Sequence, residues 1–146
     1  MFKLVTAVAA FAVLAACSHG QPQTAKSRPL AAPPASADPN EAVWHLRAGL
    51  NVAALLCKGR GRVAVAPGYA RLLDRHRGLL AAAYSAEQRR HGSGFDRHQT
   101  RLYNRFANPR DPARFCRSAA GVASRSAAMS SPDLSRRASA LLGELN

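Results

Sequence analysis

Few residues in this chain of 146 could do chemistry, and three cysteines, Cys17, Cys57 and Cys116, head them. A thiol can be acylated, paired as a disulfide or used as a metal ligand. Neither Cys57 nor Cys116 has a second Cys or a His at ligand spacing, so a metal pair is the weaker alternative to a disulfide. The chain has no nucleophile elbow, no phosphate-cradling glycine loop, no C-x-x-C-H and no H-E-x-x-H. From residue 40 the acids are Glu41, Asp74, Glu87, Asp96, Asp111, Asp133 and Glu144. Glu41, Asp96, Asp111 and Asp133 fall at predicted helix starts, where a negative charge meets exposed amides. Asp74 and Glu87 stand too far apart along one predicted helix to form a two-carboxylate site there.

The histidines form no ligand motif. His91 and His98 flank Gly92-Ser93-Gly94 and can approach each other, whereas His45 and His76 belong to different predicted helices. Exposed, unpaired histidine is the common case, so no metal and no cofactor is expected. Trp44, Tyr69, Tyr84 and Tyr103 are expected to pack in the core or at its rim. With no catalytic residue to name, the chain is expected not to be an enzyme.

Cys17 has the most telling context. One cation, Lys3, precedes a run from Leu4 to Leu14 that is apolar except for Thr6, and small residues follow, as in an export signal. The run is about half the roughly 20 apolar residues a membrane span needs. Leu14-Ala15-Ala16-Cys17 resembles the lipobox of bacterial lipoproteins. The resemblance implies that residues 1–16 are removed and that Cys17 is acylated, palmitate among its chains, giving stable anchoring by more than one acyl chain. Ser18 stands where that family's inner-membrane retention signal shows Asp, which favours the outer membrane. The alternative is an ordinary secretory signal, with Cys17 lost or left as a plain thiol. Residues 17–39, with prolines at 22, 29, 33, 34 and 39, read as a tether too poor in apolar groups to fold. Residues 40–146 then form the domain.

With Cys17 acylated, Cys57 and Cys116 remain, and two cysteines in one small exported domain read as a disulfide. Closing their 59-residue separation stabilises by about 4 kcal/mol in the chain-entropy model.

The formal charge is +13, and 18 of the 21 cations are arginines. Arg97, Arg101 and Arg105 recur at four-residue steps, as do Arg71 and Arg75, so each set lies along one helix face. Arg60 and Arg62 add a basic loop. The guanidinium fork suits phosphate and carboxylate, which makes anionic lipid, lipopolysaccharide or an acidic protein the chemically matched partner. The competing account is a solvated face drawn from an arginine-rich composition. Nucleic acid is excluded if the protein is exported and returns if it is not.

The elements that must position these residues are helices. The chain lacks isoleucine, and only Val43, Val52, Val63, Val65, Val122 and Thr100 are β-branched from residue 40 on, while Ala and Leu abound. Asp38-Pro39-Asn40-Glu41 opens a first helix with Val43, Leu46, Leu50, Ala53 and Cys57 on one apolar face, stopped by Gly59 after Lys58. A second is predicted from Pro67 to about His91, with Tyr69, Leu72, Leu73, Leu79, Leu80 and Ala83 inward and Gly92 as its stop. Ser93 is expected to cap a third, carrying Phe95, Leu102 and Phe106. Asp111-Pro112 opens a fourth with Phe115, Cys116, Ala119, Ala120, Val122 and Ala123, and Ser131-Pro132 a fifth with Leu134, Ala138, Leu141, Leu142 and Leu145. The expected fold is all-α, a bundle of four to five helices closed by Cys57 and Cys116.

Trp44 to Cys57, Tyr103-Asn104-Arg105-Phe106 and Phe115-Cys116 resemble a group of small exported helical bacterial proteins to which no activity is attached. That resemblance supports the paired cysteines and implies no function. The sequence therefore leads to a lipid-anchored, periplasm-facing binding or structural protein of the cell envelope. An adaptor, inhibitor or immunity-type lipoprotein acting on another exported protein is the alternative, with a small hydrolase behind both.

Overall fold

Three helices begin where a capping side chain precedes proline, and the computed structural model, which describes residues 38–58 and 64–146, shows each cap. Among those residues are α1 (Pro39–Leu56), α2 (Ala66–Arg75), α3 (Arg77–His91), α4 (Phe95–Ala107), α5 (Pro112–Ala128) and α6 (Ser131–Gly143), with no strand. The Asp38 carboxylate accepts from the Asn40 amide at 2.8 Å, and Asp111 accepts from the Arg114 amide at 2.9 Å. Ser130, one residue earlier than expected, accepts from the Asp133 amide at 3.2 Å. Each side chain satisfies a first-turn donor that the helix cannot satisfy itself.

The single helix expected over 67–91 is broken at His76 into α2 and α3, so the five-helix plan holds with its second rod interrupted. His76 leaves helical geometry at φ −111° and ψ 27°, yet its amide bonds Leu72 and its carbonyl receives Leu80. The buried ring explains the break. Its Nδ1 lies 2.9 Å from Ser131 Oγ and its Nε2 lies 3.0 Å from the Ser126 carbonyl. A carbonyl only accepts, so Nε2 donates to it, while Nδ1 meets the Ser131 hydroxyl. Apolar residues keep their phase on both sides of the break, which hides it from periodicity. The consequence is directional: α2 packs on α5, whereas α3 packs on α1.

The turn into α4 also differs from expectation. Gly92–Gly94 forms one 3₁₀ turn, and Gly94 precedes α4 without a side-chain cap, so Ser93 does not serve. Gly92 sits at φ +48°, a conformation that suits glycine and ends α3 as foreseen. The stop of α1 comes at Leu56 with Cys57 as its cap; Gly59 lies outside the described residues.

α1 is the central rod and touches every other helix. Its expected apolar face is buried, and Ala42, Trp44, His45, Ala48 and Gly49 are buried as well, so it is covered on more than one side. At Gly49 a Cβ would stand 2.9 Å from Leu145 and 3.1 Å from Phe106, so the glycine sets how closely its neighbours approach. The inward residues foreseen for the fifth helix are all buried. Cys57 and Cys116 form a disulfide with Cα atoms 5.6 Å apart, tying the end of α1 to the first turns of α5. No described helix is long and apolar enough to cross a membrane.

Candidate functional site

Where α1, α3 and α4 meet, three imidazoles surround one buried carboxylate. His45 lies on the covered side of α1, Glu87 and His91 are one turn apart on α3, and His98 stands in α4 just after the glycine turn. Glu87 is wholly buried at 0 % exposure. Its Oε2 is the convergence point: His98 Nε2 lies 2.9 Å away, His91 Nε2 3.4 Å and His45 Nε2 3.7 Å. The other oxygen, Oε1, faces Arg90 Nη1 at 3.8 Å. Arg90 is itself held by the carboxylates of Asp38 and Glu41. His91 and His98 stack with centroids 3.7 Å apart and planes 14° apart, and His45 tilts toward His98 at 5.5 Å.

Glu87 and His45 are buried, His98 and His91 are partly so, and the buried atoms are poorly satisfied. Burial pushes Glu87 above its ordinary range, opposed by His91 and Arg90. Burial likewise drives His45 down to about 4 and lowers His98; Glu41 opposes this at both, while Arg105 adds to it. The site thus disfavours charge on its own members. Eight buried side-chain atoms among the described residues lack a hydrogen-bond partner, and five are here: both nitrogens of His45, both oxygens of Glu87 and His98 Nε2. The His98 contact with Glu87 is short but misaligned as a hydrogen bond. Each such atom costs about 1–3 kcal/mol if nothing satisfies it. One ligand atom from each of His45, Glu87 and His98 lies within 4.8 Å of the others. Two imidazoles and a carboxylate are donors that divalent first-row metals accept.

His76 stays outside this constellation, its two ring nitrogens bonded to Ser126 of α5 and Ser131 of α6. The aromatic residues pack as foreseen: Trp44 against Tyr84 at 5.2 Å, Tyr84 edge-on to Phe95, and Arg47 over Trp44 while bonding the Tyr103 hydroxyl. Cys17, Arg60 and Arg62 lie outside the described residues. Arg71, Arg75, Arg97, Arg101 and Arg105 are all exposed. Arg75 donates to the Met129 carbonyl at 3.0 Å. Carboxylates are paired with Arg77, Arg90, Arg125 and Arg136 instead, so among the described residues the row on α4 has no acidic partner.

The expected approach of His91 and His98 is present, and His45, placed by sequence on a different helix, joins them over Glu87. A signal existed. Leu80, Ala83 and Glu87 follow helical spacing, which puts a carboxylate in an inward position, and His91 is its next neighbour on that face. Family models, curated proteins and solved structures were compared with this chain, and none matches.

Proposed function

We propose that this chain is a lipid-anchored, periplasm-facing protein of the cell envelope, held in the outer membrane through Cys17, that binds anionic envelope lipid without catalysis. The observation carrying the proposal is the row Arg97, Arg101 and Arg105. All three are exposed on one helix and make no ion pair among the described residues, while Asp38, Glu41, Asp74, Asp133 and Glu144 pair with other arginines. An uncompensated guanidinium row has free donors for phosphate and attracts anions over the screening distance. Arg71 and Arg75 on α2 extend the basic surface.

Cosedimentation of a soluble form lacking residues 1–17 with phosphatidylglycerol-containing or purely zwitterionic vesicles tests the anion contact. Binding to the anionic vesicles alone, lost at high salt and weakened in an Arg97→Gln, Arg101→Gln, Arg105→Gln variant, is expected. Equal pelleting by both vesicle types refutes the arginine row as a binding surface. The intact mass of the membrane-purified protein tests the anchor, which requires a chain beginning at an acylated Cys17.

A further inference from the structure

We propose that His45, Glu87 and His98 form a binding site for a divalent transition metal of the Zn²⁺ class. Donor type and spacing support it first. Tetrahedral bonds of about 2.1 Å leave ligand atoms about 3.4 Å apart, and Glu87 Oε2 is 3.7 Å from His45 Nε2 and 2.9 Å from His98 Nε2. Small rotations of the three side chains bring them onto one ion.

The unpaired atoms supply a second, independent argument. A carboxylate at 0 % exposure, with imidazole nitrogens gathered around it and no hydrogen bond made, is the arrangement an ion resolves. The carboxylate also divides its oxygens: Oε2 faces the imidazoles, while Oε1 faces Arg90, which Asp38 and Glu41 hold in place. Such outer partners orient ligands in metal sites. Charge around the site is mixed: Asp38, Glu41 and Glu87 gather there with Arg90 among them, and Arg101 and Arg105 act on His98 and His45 from α4, so the case rests on donor geometry and unpaired atoms.

His91 is a neighbour of the site rather than a ligand. Two imidazoles on one tetrahedral ion hold their ring centres about 5 Å apart, further than the 3.7 Å of the stacked His91 and His98. Two histidines and one carboxylate leave a fourth position for water or a small ligand.

The test uses the full chain with its disulfide intact, free thiols alkylated, stripped with EDTA and titrated with Zn²⁺ by calorimetry and with Co²⁺ by visible absorption. One equivalent of Zn²⁺ is expected to bind, and Co²⁺ to give the strong visible bands of a low-coordinate site. Glu87→Gln, which keeps size and shape, should weaken Zn²⁺ by more than the about 10- to 100-fold that loss of an outer partner costs. His98→Gln should do the same, and His91→Gln should stay within about tenfold. Helical circular dichroism shows that each variant is folded. Unsaturable Zn²⁺ uptake, only the pale spectrum of six-coordinate Co²⁺, or equal affinity in folded Glu87→Gln overturns the proposal.

Discussion

Two buried places in the same small bundle use histidine in opposite ways. At the α2 and α3 junction, His76 has one nitrogen on a carbonyl and the other on a hydroxyl, and nothing is left over. Between α1, α3 and α4, His45 has neither nitrogen hydrogen-bonded, and both oxygens of the adjacent Glu87 likewise accept no hydrogen bond. The first histidine explains a feature of the fold, the break in a helix. The second explains none, since an apolar group of similar size would fill the space at lower cost. Burial alone therefore does not mark a site; burial with polar atoms left unmatched does.

The comparison can be broken or sharpened in four ways. Reducing Cys57–Cys116 should act on both places together, because it loosens the frame they share. A loss of about 4 kcal/mol, read from the denaturant midpoint with and without reductant, is expected. His76→Ala should come next, costing about 3 kcal/mol through a cavity and two broken hydrogen bonds, by the same measurement in EDTA. Glu87→Met should have the opposite sign in EDTA, raising stability by about 1–2 kcal/mol. A loss there would make the cluster a structural element like His76.

The smallest effect lies at the rim of the histidine cluster. The Asn40 amide, followed by Arg90, holds the Asp38 carboxyl below its ordinary value of 3.8, against a smaller effect of burial. A carboxyl with a lowered folded value adds stability above the unfolded value and loses it as pH falls through the folded one. Asp38→Ala should cost about 1 kcal/mol at neutral pH. Urea melts of both proteins should converge as the pH drops below the ordinary aspartate value.

The sequence was most informative where structure is local. Asp38 and Asp111 cap the helices they were expected to cap, the apolar phases of the first and last helices are the buried ones, and Cys57 and Cys116 are joined. Each depends on residues within a turn or two, or on simple parity of thiols. The break at His76 escaped because its cause lies more than 50 residues away, in Ser126 and Ser131. The histidine cluster escaped for the same reason on a larger scale: its members lie on three helices, and only packing brings α1 and α4 against α3. Its visible trace was Glu87 in an inward register, which spacing alone did not separate from a surface acid.

The central position of α1 has a mechanical consequence. Tension along the chain ahead of Asp38 enters the domain at the first turn of the rod that every other helix grips. At the opposite end of that rod the covalent link at Cys57 hands the load to α5. A pull therefore cannot peel the bundle from its margin one helix at a time; it must shear α1 against all its neighbours at once, and the crosslink keeps α1 from being drawn out.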